Sequence, residues 1–347
     1  MVEDILASYG QLQPPIEIHQ INNGLINQTW RIKNSHGEYI LQKINGTIFR
    51  QPSAIANNIR LISDYLSQHF PGYLFVTPIQ TIHDEEMALY SQNYFRLMPF
   101  VKNSHTVDFA TNPDQAFEAA TAFGKFTKLL ACFPIEKLQV TLPDFHNLTL
   151  RYNQFENALN AGNTERLHKA TDLIHFLKAN QNIVQTYQNI LDNPAFKLRV
   201  THHDTKISNI LFDNNNKGLC VIDLDTVMPG YFISDVGDMM RTYLSPVTEE
   251  EKDFDKIEIR EEYFHAIWKG YTGEMKNELT EEELNHFIYA GKFMIYMQAI
   301  RFATDYLLND IYYSAKYPDH NFVRAKNQQV LLERLSEKEQ RLKEVIG

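Results

Sequence analysis

Val200-Thr201-His202-His203-Asp204-Thr205-Lys206-Ile207-Ser208-Asn209-Ile210-Leu211-Phe212-Asp213 decides how the rest of the chain is read. It sets a histidine, an aspartate two residues later and an asparagine five beyond that in a polar loop, and then turns apolar. Asn209 to Asp213 reads as a strand, Asn214-Asn215-Asn216-Lys217-Gly218 as a turn, and Leu219 to Asp223 as a second strand. A hairpin centred on Asn216 sets Asn209 opposite Asp223, and opposed residues of a ladder lie about 5 Å apart. Two oxygen-bearing side chains then meet at the open end of the hairpin, beside the loop that carries Asp204. If the strand continues, Asp225 points the same way as Asp223. It is then either a further metal ligand or a brace for the loop before Pro229-Gly230.

The spacing of His202, Asp204 and Asn209 is that of the H-R-D-x-x-x-x-N loop of phosphoryl-transfer enzymes, in which the aspartate accepts the proton of the attacking hydroxyl and the asparagine holds a metal ion. Mg²⁺ takes hard oxygen ligands, often only one or two from protein, which leaves room for phosphates. Such a string recurs by chance as a capped polar loop. The hairpin, the mirrored Asp223 and the β-rich segment before them raise it to a candidate site. His202 and His203 are adjacent and diverge on a loop, with no third ligand at a fitting spacing, so they make a poor metal pair. His202 is expected to hold the loop through a structural hydrogen bond.

Working outward, residues 16–45 alternate apolar and polar in three runs broken by Asn22-Asn23-Gly24 and Asn34-Ser35-His36-Gly37, the pattern of an antiparallel meander. Pro52 then opens a helix with Ile55, Ile59, Ile62 and Leu66 on one face, closed by Phe70-Pro71-Gly72. Short strands are expected over 73–100, helices over about 113–192, strand and loop over 200–228, and helices from 233 to the charged, amphipathic stretch Leu331 to Val345. The fold class is therefore α+β. Residues 1–100 form a β-rich lobe and residues 101–347 a larger helical lobe with one embedded hairpin.

Bulk properties narrow the classes. A chain of 347 residues suits two lobes rather than one simple core. Its net charge is −10 and no Lys/Arg block interrupts it, which argues against nucleic acid as a partner. Cys132 and Cys220 have neither metal nor disulfide-framework spacing and read as buried or half-buried thiols. The acidic start is not a signal peptide, and no apolar run nears the ~20 residues that span a bilayer, so no membrane partner and a cytoplasmic location are expected. Cys132-Phe133-Pro134-Ile135-Glu136 misses the C-x-P-x-R pattern of sulfatases.

The chain resembles the aminoglycoside phosphotransferase superfamily of protein-kinase-like small-molecule kinases, and within it the N-acetylhexosamine 1-kinases. The residues that carry the resemblance are Gly24-Leu25-Ile26-Asn27-Gln28-Thr29, Tyr39-Ile40-Leu41-Gln42-Lys43-Ile44-Asn45, His202-His203-Asp204-Thr205-Lys206, Val221 to Gly230 and Arg301-Phe302-Ala303-Thr304-Asp305-Tyr306-Leu307. It implies a bilobal fold that binds ATP, with Asp204 as catalytic base and Asn209 and Asp223 as Mg²⁺ ligands. By it, Arg301 and Tyr312 line a sugar pocket, and Asp235 braces the catalytic loop or sits as a helix N-terminal carboxylate. Gly24, Asn27 and Thr29 are the phosphate-loop candidates. Lys43 is the strand lysine, although the strand alignment puts Gln42 inward and Lys43 needs a bulge to follow it. The helix after Pro52 lacks the glutamate of the usual Lys–Glu pair, and the phosphate loop has a single glycine.

These features lead to MgATP-dependent phosphorylation of a small sugar, with the anomeric hydroxyl of N-acetylglucosamine or N-acetylgalactosamine as the expected acceptor. The alternatives are another small hydroxylated acceptor (a different sugar, choline, homoserine or an aminoglycoside) and a nucleotide-binding pseudokinase.

Overall fold

The computed structural model describes residues 2–10, 12, 15–21 and 26–346; Gly24 of the expected phosphate loop lies outside the described residues. In chain order the elements are α1 (Val2–Leu6), β1 (Glu17–Ile21), β2 (Gln28–Asn34), β3 (Gly37–Lys43), α2 (Pro52–His69), β4 (Ala88–Tyr90), β5 (Asn93–Pro99), β6 (Ser104–His105), α3 (Pro113–Leu129), α4 (Leu148–Ala161), α5 (Thr164–Lys169), α6 (Thr171–Ala179) and α7 (Asn182–Asp192). There follow β7 (Arg199–Thr201), β8 (Ile210–Asp213), β9 (Gly218–Val221), β10 (Met228–Gly230), α8 (Phe232–Tyr243), α9 (Glu261–Met275), α10 (Glu281–Asn285), α11 (Phe287–Leu307) and α12 (His320–Ile346). Two compact units result. One holds Met1–His105, Cys132–Pro143 and Leu211–Pro229; the other holds Thr106–Ala131, Asp144–Ile210 and Gly230–Gly347.

The first unit is built on the expected meander, extended to a five-stranded antiparallel sheet of order β1-β2-β3-β5-β4. Alternation sends successive side chains to opposite faces. One face carries Trp30, Ile32, Leu41, Phe95 and Leu97, which pack with Ile5, Leu6 and Tyr9. The other carries Ile40 and Met98, which pack with Val76, Leu211, Cys220 and Ile222. Residues 73–87, expected to hold further strands, contribute only the isolated bridge Ile79↔Leu97. Pro78 has no N–H to give a ladder there.

Helix α2 runs as expected from Pro52, and the Phe70 N–H closes its last turn on the Leu66 carbonyl at 2.7 Å. Its buried face interrupts the isoleucines with Asn58, which is fully buried. Asn58 Nδ2 donates to the carbonyls of Gln139 (2.8 Å) and Val227 (3.0 Å), and its Oδ1 accepts from Gln139 N at 2.9 Å. A neutral amide thus ties this helix to the segment after β9.

The hairpin forms, but it is shorter than the sequence suggests. Asp213 N donates to Lys217 O at 2.9 Å, and β8 begins only at Ile210. Asn209 closes a short 3₁₀ turn (Ile207–Asn209) and Asp223 takes left-handed φ and ψ of 58° and 60°, so neither belongs to the ladder. The expected opposition of Asn209 and Asp223 across paired strands does not occur. The strand also stops at Val221. Leu224–Thr226 form a second 3₁₀ turn, and Asp223 and Asp225 diverge instead of pointing the same way.

In the second unit, α11 is apolar almost all round, as a central helix must be. It packs on α4, α8 and α12. Close crossing depends on glycine at α8: a Cβ on Gly237 would fall 2.4 Å from the Ala290 carbonyl oxygen of α11. Buried Arg199 and Glu283 pair through Nη2 and Oε2 at 2.8 Å. The charged C-terminal stretch forms α12, with Leu331, Leu332, Leu335 and Leu342 buried. A small antiparallel sheet joined to a larger helical part is the make-up of the protein-kinase-like fold. Cys132 is exposed rather than half-buried, and Cys220 is buried. Among the described residues no helix is long and apolar enough to cross a membrane.

Candidate active site

The loop carrying Asp204 belongs to the helical unit. It leaves β7 at Thr201 and is fastened to the first turn of α8. The backbone N–H groups of His202 and His203 donate to the Asp235 carboxylate at 3.0 and 2.7 Å. Thr205 Oγ1 donates to the Asp235 carbonyl at 2.7 Å, and the Tyr243 hydroxyl donates to the Thr205 carbonyl at 2.6 Å. Asp235 is fully buried. Burial pushes its carboxyl up to about 6, against the pull of the two N–H donors. It therefore fills both roles foreseen for it, loop brace and helix N-terminal carboxylate. His203 sits at φ 65°, uncommon for a side-chain-bearing residue. Next to it a Cβ on Gly230 would fall 2.3 Å from Thr201 Oγ1 and 2.4 Å from His203 Nε2, so only glycine fits. His202 packs edge-on against Phe123, ring centroids 5.2 Å apart, which with its N–H bond to Asp235 gives it the structural role expected.

Asn209 comes to Asp204. Its Nδ2 donates to the Asp204 carbonyl at 2.8 Å and to Oδ2 at 3.1 Å. Lys206 Nζ lies 3.3 Å from the same Oδ2. One helical turn beyond Asp235, burial raises the Asp238 carboxyl and the nearby Asp204 charge adds to this, while Arg241 opposes it. Arg241 also bonds Glu249, Nη1 to Oε2 at 2.9 Å. Among the described residues no cluster of three or more His, Cys, Asp or Glu is arranged to hold a metal.

The turn carrying Asp223 belongs to the β-rich unit. Asp223 is exposed, whereas Asp225 is 2% exposed and committed: its Oδ1 pairs with Arg96 Nη1, and its Oδ2 accepts from Asn27 Nδ2 at 2.7 Å. Of the two roles open to Asp225, bracing is the one its contacts fill. Asn27 Oδ1 in turn accepts from Asn45 N at 3.0 Å. The ladder pairs Gln42 with Thr29 and Arg96, and Lys43 with Gln28 and Phe95, in unbroken register. The bulge that Lys43 requires is absent. Lys43 shares the face of Phe95 and Leu41, whereas Gln42 shares that of Thr29 and Arg96, and Gln42 Oε1 accepts from Arg96 Nε at 2.9 Å.

Arg301 and Tyr312 come together in the helical unit. The Arg301 guanidinium carbon lies 6.0 Å from the ring centres of Tyr312 and Phe145 and 5.3 Å from that of Tyr313. Tyr312 is 72% exposed. Asp305 sets the pair of tyrosines: its carboxylate accepts from Tyr312 N (2.7 Å), Tyr313 N (2.8 Å) and Asn321 Nδ2 (3.1 Å). Phe145 stacks on His146, and the His146 ring is 5.4 Å from that of His203, so an aromatic run connects this cluster to the loop of Asp204. Arg151 stands nearby, its pKa lowered by burial and by the Arg301 charge.

Residues 17–271 match the model of the phosphotransferase enzyme family, APH. The chain belongs to that family. Solved structures of family-like fold are similar along nearly their whole length at low identity. An aminoglycoside phosphotransferase from Alicyclobacillus acidocaldarius is 12% identical at a TM-score of 0.65, with 99% of this chain and 96% of that one covered. A microcompartment-associated aminopropanol kinase is 14% identical at 0.63, covering 98% and 97%. A Plasmodium vivax ethanolamine kinase is 17% identical at 0.58, covering 94% and 87%.

Four residues that fasten these elements, Arg96, Asn58, Asp238 and Asp305, are not marked by any motif of the sequence. Two of them left a signal. Arg96 is a lone charge in the apolar strand Tyr94-Phe95-Arg96-Leu97-Met98, and Asn58 falls at helical spacing among isoleucines. Asp238 and Asp305 lie in strings that carry only partner information, legible once the fold sets their neighbours.

Proposed function

We propose that the chain transfers the γ-phosphoryl group of ATP to a hydroxyl of a small sugar, with the anomeric hydroxyl of an N-acetylhexosamine as the acceptor. The observation that carries this is Asp204 on a loop clamped by Asp235, with Asn209 turned onto it and the Arg301–Tyr312–Tyr313–Phe145 cluster connected to the same loop. In this reading Asp204 takes the proton of the acceptor hydroxyl, and its fixed position supplies the orientation on which phosphoryl transfer depends. The residues suit Mg²⁺: the Asn209 amide donates to Asp204 through nitrogen, which leaves its hard carbonyl oxygen for a cation, and the exposed Asp223 offers a carboxylate. A bound Mg²⁺ would neutralise charge growing on the phosphates. The β-rich unit would receive the nucleotide at Asn27, which leads into β2, and Thr29 within it, on the face that carries Gln42 and not Lys43.

The acceptor cluster supports a neutral sugar over a cation. Arg301 and Arg151 bring positive charge there; Asp144 is set near Arg151, and the Asp305 carboxylate is taken up by the backbone N–H groups of Tyr312 and Tyr313. A polycationic aminoglycoside, or choline, would meet like charge.

An ADP-release assay over a panel of N-acetylhexosamines, other sugars, choline, homoserine and aminoglycosides tests the reading. Turnover with the sugars and none with the cations is the expected result. Asp204→Ala should lose ~10²–10⁴-fold in turnover while still binding MgATP. Full turnover by that variant would remove Asp204 as base. MgATP binding without turnover on any acceptor would favour the pseudokinase.

A further inference from the structure

Kinases ordinarily set the phosphates with a strand lysine paired to a helix glutamate. Here the corresponding strand position is Gln42, Lys43 is on the opposite face, and α2 holds no glutamate. One strand away, on the same face as Gln42, is Arg96, 1% exposed. Its Nε donates to Gln42 Oε1 at 2.9 Å and its Nη1 pairs with Asp225 Oδ1; the other Asp225 oxygen accepts from Asn27 Nδ2 at 2.7 Å, and Asn27 Oδ1 accepts from Asn45 N at 3.0 Å. This polar chain, buried at Arg96 and Asp225 and half-buried at its ends, runs from β3 and β5 through the turn after β9 to the residue that leads into β2. All of it belongs to the β-rich unit.

Stability does not account for such a pair. Burying two charges costs desolvation that their attraction at best offsets, and apolar residues of the same volume are often as stable or more so. What the pair fixes is position. Asp225 is two residues from Asp223, whose left-handed backbone and exposed carboxylate are set by the same turn. We propose that Arg96 is a positioning residue for metal–nucleotide binding: it anchors the Asp223–Thr226 turn to the sheet and, through Asp225 and Asn27, couples that turn to the phosphate-side entry of β2. It would do so by holding a protein carboxylate rather than a phosphate, in place of the absent Lys–Glu pair. This rests on the nucleotide-binding role proposed above.

The test is calorimetric titration of the full chain with MgADP and with ADP in EDTA, alongside the thermal midpoint. The double variant Arg96→Met/Asp225→Leu removes both charges together and is expected to remain folded. It should bind MgADP about 10–100-fold more weakly, as supporting partners of a metal site do, while affinity for metal-free ADP stays near that of the wild type. Asp225→Asn keeps the side-chain volume but removes the charge pair with Arg96, and should show the same metal-selective loss; it carries the test should the double variant not fold. Wild-type MgADP affinity in the folded variants, or equal weakening with and without metal, would overturn the inference. Failure of the wild-type chain to bind MgADP would instead overturn the nucleotide reading itself, and the inference with it.

Discussion

At the scale of single residues, the loop of Asp204 shows how burial is turned to positioning. Asp235 accepts two backbone N–H groups and Asp305 accepts two more, so one carboxylate shapes the loop of Asp204 and another shapes the tyrosine turn. If Tyr312 stacks on the acceptor, Tyr312→Ala should raise the acceptor KM about 3–10-fold with little change in kcat, the size of one aromatic contact. A kcat loss at constant KM would contradict that role. His146 offers a pH test. It is half-buried, its Nδ1 has no hydrogen-bond partner among the described residues, and desolvation together with the charges of His203 and Arg301 holds its pKa well below 6.5. The native state then stays unprotonated where the unfolded chain takes up a proton, so stability falls as pH drops below 6.5 and continues to fall until the depressed native pKa is reached. Each pH unit in that window costs about 1.4 kcal/mol from this one group. His146→Gln should flatten the decline of thermal midpoint between pH 7 and 5 relative to the wild type; parallel curves would show that His146 is not the group responsible.

At the scale of elements, the sequence was legible where one face or one period dominated. The meander, α2 and the α3–α7 and α8–α12 runs all rest on regular apolar spacing, and they formed. The hairpin was legible in existence but not in length, because the extent of pairing depends on which residues the following turns claim. Asp223 and Leu224–Thr226 are drawn out of the strand by the Asp225–Arg96 pair and by Asn58 on the Val227 carbonyl, contacts separated by over a hundred residues in sequence. The same distance hid the pairing of Arg96. Helix crossings were equally silent: nothing local marks Gly237 as the point where α8 meets α11. Gly237→Ala should cost about 1–3 kcal/mol from overpacking. Since α8 also carries Asp235, turnover should fall with the thermal midpoint. An unchanged midpoint would mean that the crossing relaxes without cost.

At the scale of the whole molecule, the net charge of −10 gave no hint of the arginines gathered near Tyr312 and Tyr313. Overall charge speaks to solubility and steering, while local charge decides what a pocket accepts. Family and fold were readable from motifs spread over most of the chain, and the family match over residues 17–271 agrees with that. The gathering of Phe145, Arg301 and Tyr312, on which the proposed acceptor rests, was not, because these residues are far apart in sequence and individually ordinary.

The central claim is that the Asp204 loop directs ATP's terminal phosphoryl group onto a sugar hydroxyl. ³¹P NMR of the product after incubating the chain with MgATP and N-acetylglucosamine or N-acetylgalactosamine tests it most directly. A new phosphomonoester resonance coupled to the anomeric proton is expected, formed by the wild type and reduced to background in Asp204→Asn. A wild-type reaction that leaves every sugar unphosphorylated, or a variant that forms the ester at the same rate, would contradict it.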